Sequence, residues 1–355
     1  MAQEIRRLDM TPPLATARKV TMQEIADRLK LSKSTVSRAF TRPELLDSKT
    51  VKRVRNAATK LKFRPNVSAK VLSSGKTHLI AIMLPELNYF KGDYMADVLF
   101  GIGLELEKNG CSMVFHGYEH LSSRDESMFS QVLQRADVEG ALLFTKSFSK
   151  RQLEELKSPP VPTVAVDVLT DAIPCVYPNN YAIGYTMAEH VVKMGHRRIA
   201  CFMGSSEWNS AGERAKGVYA CLDKHGIKIP DAWKITCRFE ESLVRTAERF
   251  SVILSSTSSG NRPTAVIAAN DGIAASIYKT VSLFGLSVPN DISVVGCDNN
   301  YFCDFLSPPL TSLDQNGTDV GLKAARMITK KIPPGKINSD HFLVVRESVR
   351  NLKDA

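Results

Sequence analysis

The sequence predicts a two-part protein: a small all-α headpiece followed by a larger two-lobed α/β core with parallel sheets. Three observations predict it. From Val20 to Leu61 apolar residues recur at helical spacing, whereas beyond Lys76 short apolar runs alternate with amphipathic stretches of helix length. Charge divides at the same place: residues 1–76 hold 18 Lys+Arg against 6 Asp+Glu, a net +12, and the remainder holds 29 against 31, a net −2. The length of 355 residues, 43% hydrophobic and 24% charged, suits two or three globular domains and excludes a disordered or fibrous chain.

Residues 1–19, with Pro12 and Pro13, read as a flexible arm. The arm lacks the apolar centre of a signal peptide, and no apolar run reaches about 18 residues, so a soluble, cytoplasmic protein without a membrane partner is expected. Thr21 is a good N-cap and Glu24 completes a capping box, starting a first helix through Ile25, Ala26 and Leu29. Ser32 can cap a second helix through Val36 and Phe40. Only Lys30 and Leu31 separate the two, which forces a steep crossing and hence a helix-turn-helix. A third helix begins after Asp47 or Ser48 and carries Val51, Val54, Ala58 and Leu61. Residues 64–75, bounded by Pro65 and Gly75, are too few to fold alone and read as a linker.

In the core, strands are expected at Leu79–Leu84, Ser112–His116, Ala141–Phe144, Val161–Val166, Arg198–Met203, Thr264–Ala268, Ile292–Gly296 and Phe342–Val345. Helix-length segments such as Tyr94–Lys108, Ala182–Met194, Ala211–His225 and Gly272–Phe284 lie between them. About 260 residues of this pattern suit two lobes, and open α/β sheets bind ligands outside the carboxyl ends of their strands, so a cleft between lobes is the expected site.

A basic head on a near-neutral body is the electrostatic footprint for a polyanion, either nucleic acid or an anionic membrane surface. The seven cysteines form an odd set without C-x-x-C spacing and mostly fall in apolar stretches; they read as reduced core thiols, and no metal or other cofactor is expected. Gly101-Ile102-Gly103 has part of a dinucleotide fingerprint, but Leu106 holds the third-glycine position and the segment lies inside an expected helix. No G-x-S-x-G, P-loop or H-E-x-x-H is present. The seven His are scattered, with His196 placed as a structural turn residue before a strand, so an enzyme is not expected.

Val20-Thr21-Met22-Gln23-Glu24-Ile25-Ala26-Asp27-Arg28-Leu29-Lys30-Leu31-Ser32-Lys33-Ser34-Thr35-Val36-Ser37-Arg38-Ala39-Phe40 resembles the headpiece of the lactose and galactose repressor (LacI/GalR) family of transcription regulators. Phe63-Arg64-Pro65-Asn66 and Ala69-x-x-Leu72 resemble its hinge helix. Gly195-His196-Arg197-Arg198, Arg214-Ala215-Lys216-Gly217, Ala269-Asn270-Asp271, Val288–Gly296 and Pro309–Gln315 follow its sensor core in order. Lys30 stands where the family often has Gly, Thr41 where Asn is common, Phe63 where Tyr is usual, and Asn179 where Asp is frequent. Residues 87–93 form a stretch about three residues longer than the usual first-strand loop of the cleft.

The resemblance implies a helix-turn-helix DNA-binding domain at 20–64, a hinge at 65–76 and a periplasmic-binding-protein-like core at 77–355. Its N-lobe would span about 77–178 and 309–338, and its C-lobe about 181–306 and 341–350. It implies that Lys33, Ser34 and Arg38 face base edges in the major groove of operator DNA. Thr21, Ser32, Thr35, Ser37 and Asn66 have the chemistry of phosphate contacts, Ala69 belongs to the hinge, and Leu72 would wedge into the minor groove. For the cleft it carries over Asp167, Ser210, Arg214, Asn270 and Asp298, with Tyr94 and Phe239 as aromatic candidates. Carboxylates and amides suit ring hydroxyls, an arginine fork holds two oxygens, and an aromatic face covers an apolar ring side. The expected function is that of a ligand-responsive repressor of a carbohydrate-utilisation operon, acting as a homodimer on double-stranded DNA with a sugar or sugar derivative as effector. A sugar-binding protein of the periplasmic type, without a regulatory role, is the alternative. Residues 347–355 lack heptads for a coiled-coil tetramer.

Overall fold

The computed structural model describes residues 20–63, 76–85, 92–117, 137–238 and 243–353. The expected arm, hinge residues 65–75 with Asn66, Ala69 and Leu72, most of the 87–93 stretch, and Phe239 lie outside them. The chain forms two compact units, Met1–Lys76 and Thr77–Ala355.

In the first unit α1 (Met22–Leu29), α2 (Lys33–Thr41) and α3 (Ser48–Lys60) close around Ile25, Ala26, Val36, Ala39, Val54 and Ala58. Helices this short are marginal alone and depend on that shared apolar face. Each is capped by the side chain before it: Thr21, Ser32 and Asp47 accept the backbone N–H of Glu24, Thr35 and Thr50. The turn between α1 and α2 requires a left-handed residue, and Lys30 fills it at φ 53°. Phe63 packs its ring 5.7 Å from that of Phe40, so it seals the headpiece core with an apolar edge.

In the second unit β1 (Leu79–Leu84), β2 (Ser112–Gly117), β3 (Gly140–Phe144), β4 (Thr163–Val166), β5 (Cys175–Pro178) and β11 (Lys336–Ser339) form one sheet in the order β2-β1-β3-β4-β5-β11, all parallel. The other contains β6 (Ile199–Gly204), β7 (Lys234–Cys237), β8 (Ala265–Ala268), β9 (Ser293–Cys297), β10 (Thr311–Asp314) and β12 (Phe342–Val344) in the order β7-β6-β8-β9-β10-β12. Only its β10–β12 pair is antiparallel. The helices are α4 (Asp93–Lys108), α5 (Lys150–Glu155), α6 (Asn180–Lys193), α7 (Asn209–Lys224), α8 (Leu243–Ser256), α9 (Asp271–Leu283) and α10 (Gly317–Ile328). Among them α4 and α10 cover the first sheet, and α6, α7, α8 and α9 the second.

All eight expected strands are present, and four were not foreseen. Strands β7 and β11 are polar edge strands, with burial confined to every other residue or to one end. Strand β5 ends in Pro178, and β10 carries Thr311 and Ser312, both fully buried. Those two break the apolar-run criterion and are tolerated because Arg346 N donates to Thr311 Oγ1 (2.9 Å) and Ser312 Oγ donates to Asp271.

Glycines bring helices together backbone to backbone in both lobes. A Cβ on Gly184 of α6 would overlap the Arg214 carbonyl of α7, and one on Gly321 of α10 the Val98 carbonyl of α4. Gly101, in the partial dinucleotide pattern, is a packing glycine of this kind: its Cβ would overlap the Thr318 carbonyl. The chain passes between lobes three times: from β5 to α6, from β10 to α10, and from β11 to β12. Among the described residues no helix is long and apolar enough to cross a membrane, and no cluster of His, Cys, Asp or Glu could hold a metal.

Candidate DNA-reading face and ligand cleft

On α2, Val36 and Ala39 point inward, while Ser34 and Arg38, four residues apart, share the opposite exposed face with Lys33 beside them. Thr35 and Ser37 are partly buried. The Ser32 hydroxyl accepts Thr35 N at 3.1 Å, and that of Thr21 accepts Glu24 N at 3.3 Å. The Ser32 hydroxyl also lies 2.8 Å from those of both Ser34 and Thr35, so the three hydroxyls form one cluster at the start of α2. The helix N-terminus adds partial positive charge where Lys33 already stands.

The residues that the resemblance assigns to the cleft come from the carboxyl ends of strands and the helix starts after them. Asp167 follows β4 at φ 65° and accepts the Tyr94 hydroxyl at 2.9 Å. Burial pushes its carboxyl up to about 6, against the Tyr94 hydrogen bond and the Arg214 charge. Asp298 follows β9 and accepts Gln315 Nε2 at 2.5 Å. Burial also raises this carboxyl; Arg214 and the Gln315 bond oppose the shift, and the neighbouring Asp271 carboxylate adds to it.

Arg214 is only 6% exposed. Nη1 donates to the Ala269 carbonyl (2.6 Å), Nε and Nη2 to Asn180 Oδ1 (3.2 and 2.8 Å), and Nη2 also to Gln315 Oε1 (2.8 Å). Asn270 caps α9, with its side-chain oxygen 2.8 Å from Ile273 N, leaving the amide nitrogen for other work. Ser210 is partly buried in the first turn of α7. The structure thus joins Tyr94 to Asp167 directly and Arg214 to Asp298 through Gln315.

Four features were missed in the sequence. Asn180 and Gln315 are amides that position the arginine; Gln315 ends the quoted segment Pro309–Gln315 but was given no role there. Trp208 precedes α7 and carries the Lys146 ammonium 5.3 Å from its ring centroid, while Asn209 N donates to Lys146 O (3.0 Å), so the two lobes touch here. Asp271 is fully buried and accepts Ser312 Oγ (2.6 Å), Asn300 N (2.8 Å) and Cys303 Sγ (3.2 Å), holding the segment that presents Asp298. Asn179 caps α6 by accepting Ala182 N at 3.0 Å, the task an Asp would perform. His196 is buried between Thr264 Oγ1 and Arg350 O, each 3.0 Å away, in the structural role expected. All seven cysteines are free thiols, six of them buried.

Comparison with known proteins agrees with the two-part fold. Residues 21–66 match the family described as bacterial regulatory proteins, lacI family, and residues 188–349 match the periplasmic binding protein-like domain. The transcriptional regulator DegA of Bacillus subtilis is 27% identical over 344 residues, 94% of this chain and 99% of that protein. The ribose operon repressor of Escherichia coli is 27% identical over 315 residues, 88% and 93% of the two chains. The fold is shared with a lac repressor dimer bound to operator and the anti-inducer ONPF, at TM-score 0.79 and 23% identity over 94% of this chain and all of that one. The chain thus joins, in this order, a helix-turn-helix headpiece that matches the lacI family of bacterial regulatory proteins and a two-lobed core that matches the periplasmic binding protein-like domain.

Proposed function

We propose that the protein is a ligand-responsive, sequence-specific DNA-binding repressor of a carbohydrate-utilisation operon, acting as a homodimer. The observation that carries this is the exposed Lys33, Ser34 and Arg38 face of a three-helix headpiece, joined in one chain to a core whose cleft collects Asp167, Arg214 and Asp298. Lys33 and Arg38 suit the O6 and N7 acceptors of guanine, and the hydroxyls of Thr21, Ser32, Thr35 and Ser37 suit phosphates that set register. By the family resemblance Asn66 contacts phosphate, Ala69 belongs to the hinge and Leu72 wedges into the minor groove, and the proposed division places this hinge at 65–76.

The effector is a small polyhydroxylated molecule in the cleft. Two carboxylates and a guanidinium would be desolvated against an apolar ligand at a cost of several kcal/mol, whereas hydroxyls satisfy them. One 27%-identical relative is named for a ribose operon, which supports a sugar. A homodimer is supported by large apolar residues left exposed on the core, Tyr301 at 74% and Phe305 at 81% among them. Matching of the headpiece itself favours this function over a sugar-binding protein without a regulatory role.

A mobility-shift assay on genomic fragments tests the DNA half. Wild type retards a subset, Arg38→Ala does not, and Leu72→Ala binds more weakly with less bending; retention of specific binding by a core starting at Lys76 would refute it. A thermal-shift metabolite screen tests the other half. The ligand it finds should bind Asp298→Ala roughly 10- to 150-fold more weakly, the loss of one hydrogen bond to a charged group.

A further inference from the structure

The three passages between lobes are held by one polar network. Asn180 stands at the first, Gln315 at the second and Ser339 at the third, with exposures of 7%, 4% and 1%. Arg214, anchored in α7, donates to Asn180 Oδ1 and to Gln315 Oε1, and Ser339 Oγ reaches the Gln315 backbone carbonyl at 3.5 Å. Gln315 Nε2 closes the chain of contacts on Asp298.

Donor arithmetic makes this arrangement consequential. A guanidinium has five N–H groups, and four of those of Arg214 are engaged by Asn180, Ala269 and Gln315. One Nη1 hydrogen remains, so Arg214 cannot offer a ligand the two-pronged fork expected from the sequence unless a partner leaves. The Ala269 carbonyl is main chain at the end of β8, and Asn180 begins a helix. Gln315 is the partner that can leave, because its side chain has three rotatable bonds and its backbone lies in the irregular link between β10 and α10.

We infer that Gln315 is a positioning residue that couples cleft occupancy to the angle between lobes: a ligand that takes its place on Arg214 or Asp298 releases the second passage and, through Arg214 and Ser339, loosens the other two. This rests on the reading of Arg214 and Asp298 as ligand groups. It supplies the differential contact that any ligand-driven shift between two conformations requires.

Hydrogen exchange of the full chain, without ligand or DNA, tests the network. In Gln315→Leu, exchange should accelerate about tenfold or more at residues 181–183 and 318–320 together while strands β6 and β8 keep their protection. In Gln315→Glu, which keeps the acceptor for Arg214, protection at 181–183 should return toward wild type. Both variants lose the donor to Asp298, so carboxylate-carbon NMR should show Asp298 titrating at higher pH than in wild type. Unchanged protection at 181–183 in a folded Gln315→Leu protein overturns the inference. If that variant does not fold, an unmoved Asp298 titration in Gln315→Glu overturns it. Neither readout involves operator or effector, so an error in the proposed function would not imitate either result.

Discussion

Replacing Arg214 by Met keeps much of the side-chain volume and removes every donor. Three acceptors on separate segments are then left without the partner the arginine supplies: Asn180 Oδ1, the Ala269 carbonyl and Gln315 Oε1. Each buried acceptor deprived of its donor costs about 1–3 kcal/mol, and Asp167 and Asp298 also lose the positive charge that opposes their upward shifts. Water entry and re-pairing recover part of this, so the net loss should be about 3–5 kcal/mol, as for other buried charges stripped of a partner. At roughly 2–4 °C per kcal/mol for a domain of this order of size, the core should melt roughly 6–20 °C below wild type in differential scanning calorimetry. An Arg214→Met core melting within about 2 °C of wild type would show that the arginine is held ready for ligand and does not bind the core together.

Three further outcomes are expected. Lys30→Gly should stabilise the headpiece by about 0.5–1 kcal/mol in urea unfolding, since the left-handed turn at φ 53° strains any residue with a Cβ while glycine adds some chain entropy. Loss of stability would mean that the lysine side chain makes a contact worth more than the strain. Gly101→Ala should cost about 1–3 kcal/mol by pushing α4 off α10, whereas Gly103→Ala, whose Cβ meets only the end of the Met113 side chain at 3.5 Å, should gain up to about 1 kcal/mol from helix propensity. Equal effects at the two glycines in thermal melts would contradict the packing account. His196 is held neutral by burial, its folded value pushed down to about 4 from 6.5, so the unfolded chain binds more protons between those values. Its contribution, up to about 3 kcal/mol, is complete above pH 6.5 and declines as pH falls toward 4, and His196→Gln should flatten that part of the melting-temperature profile. A variant profile as steep as wild type would place the titration elsewhere.

Headpiece caps and core strands were readable because both are local signals. Thr21, Ser32 and Asp47 announce helix starts by their own chemistry, and β1, β3, β6 and β8 are continuous apolar runs because both faces of each sheet are covered. The cleft was legible only in part. Arg214, Asp167 and Asp298 stand in recognisable surroundings, but Gln315 Oε1 reaches Arg214 across 101 residues of sequence, and no periodicity encodes such a pairing. The buried Thr311 and Ser312 concealed β10 for a related reason: their hydrogen-bond partners, near 346 and 271, are also remote in sequence.

Selection of duplexes from a random pool by the full-length protein tests the central claim, sequence-specific DNA binding under ligand control, most directly. Bound duplexes should converge on an inverted repeat, and the affinity for it should fall steeply with salt as phosphate contacts displace counterions. The effector found by screening should change that affinity by about 1–3 kcal/mol, the usual range of coupling between two sites. A pool that shows no convergence, or a converged site whose affinity is the same with and without saturating effector, would contradict the account.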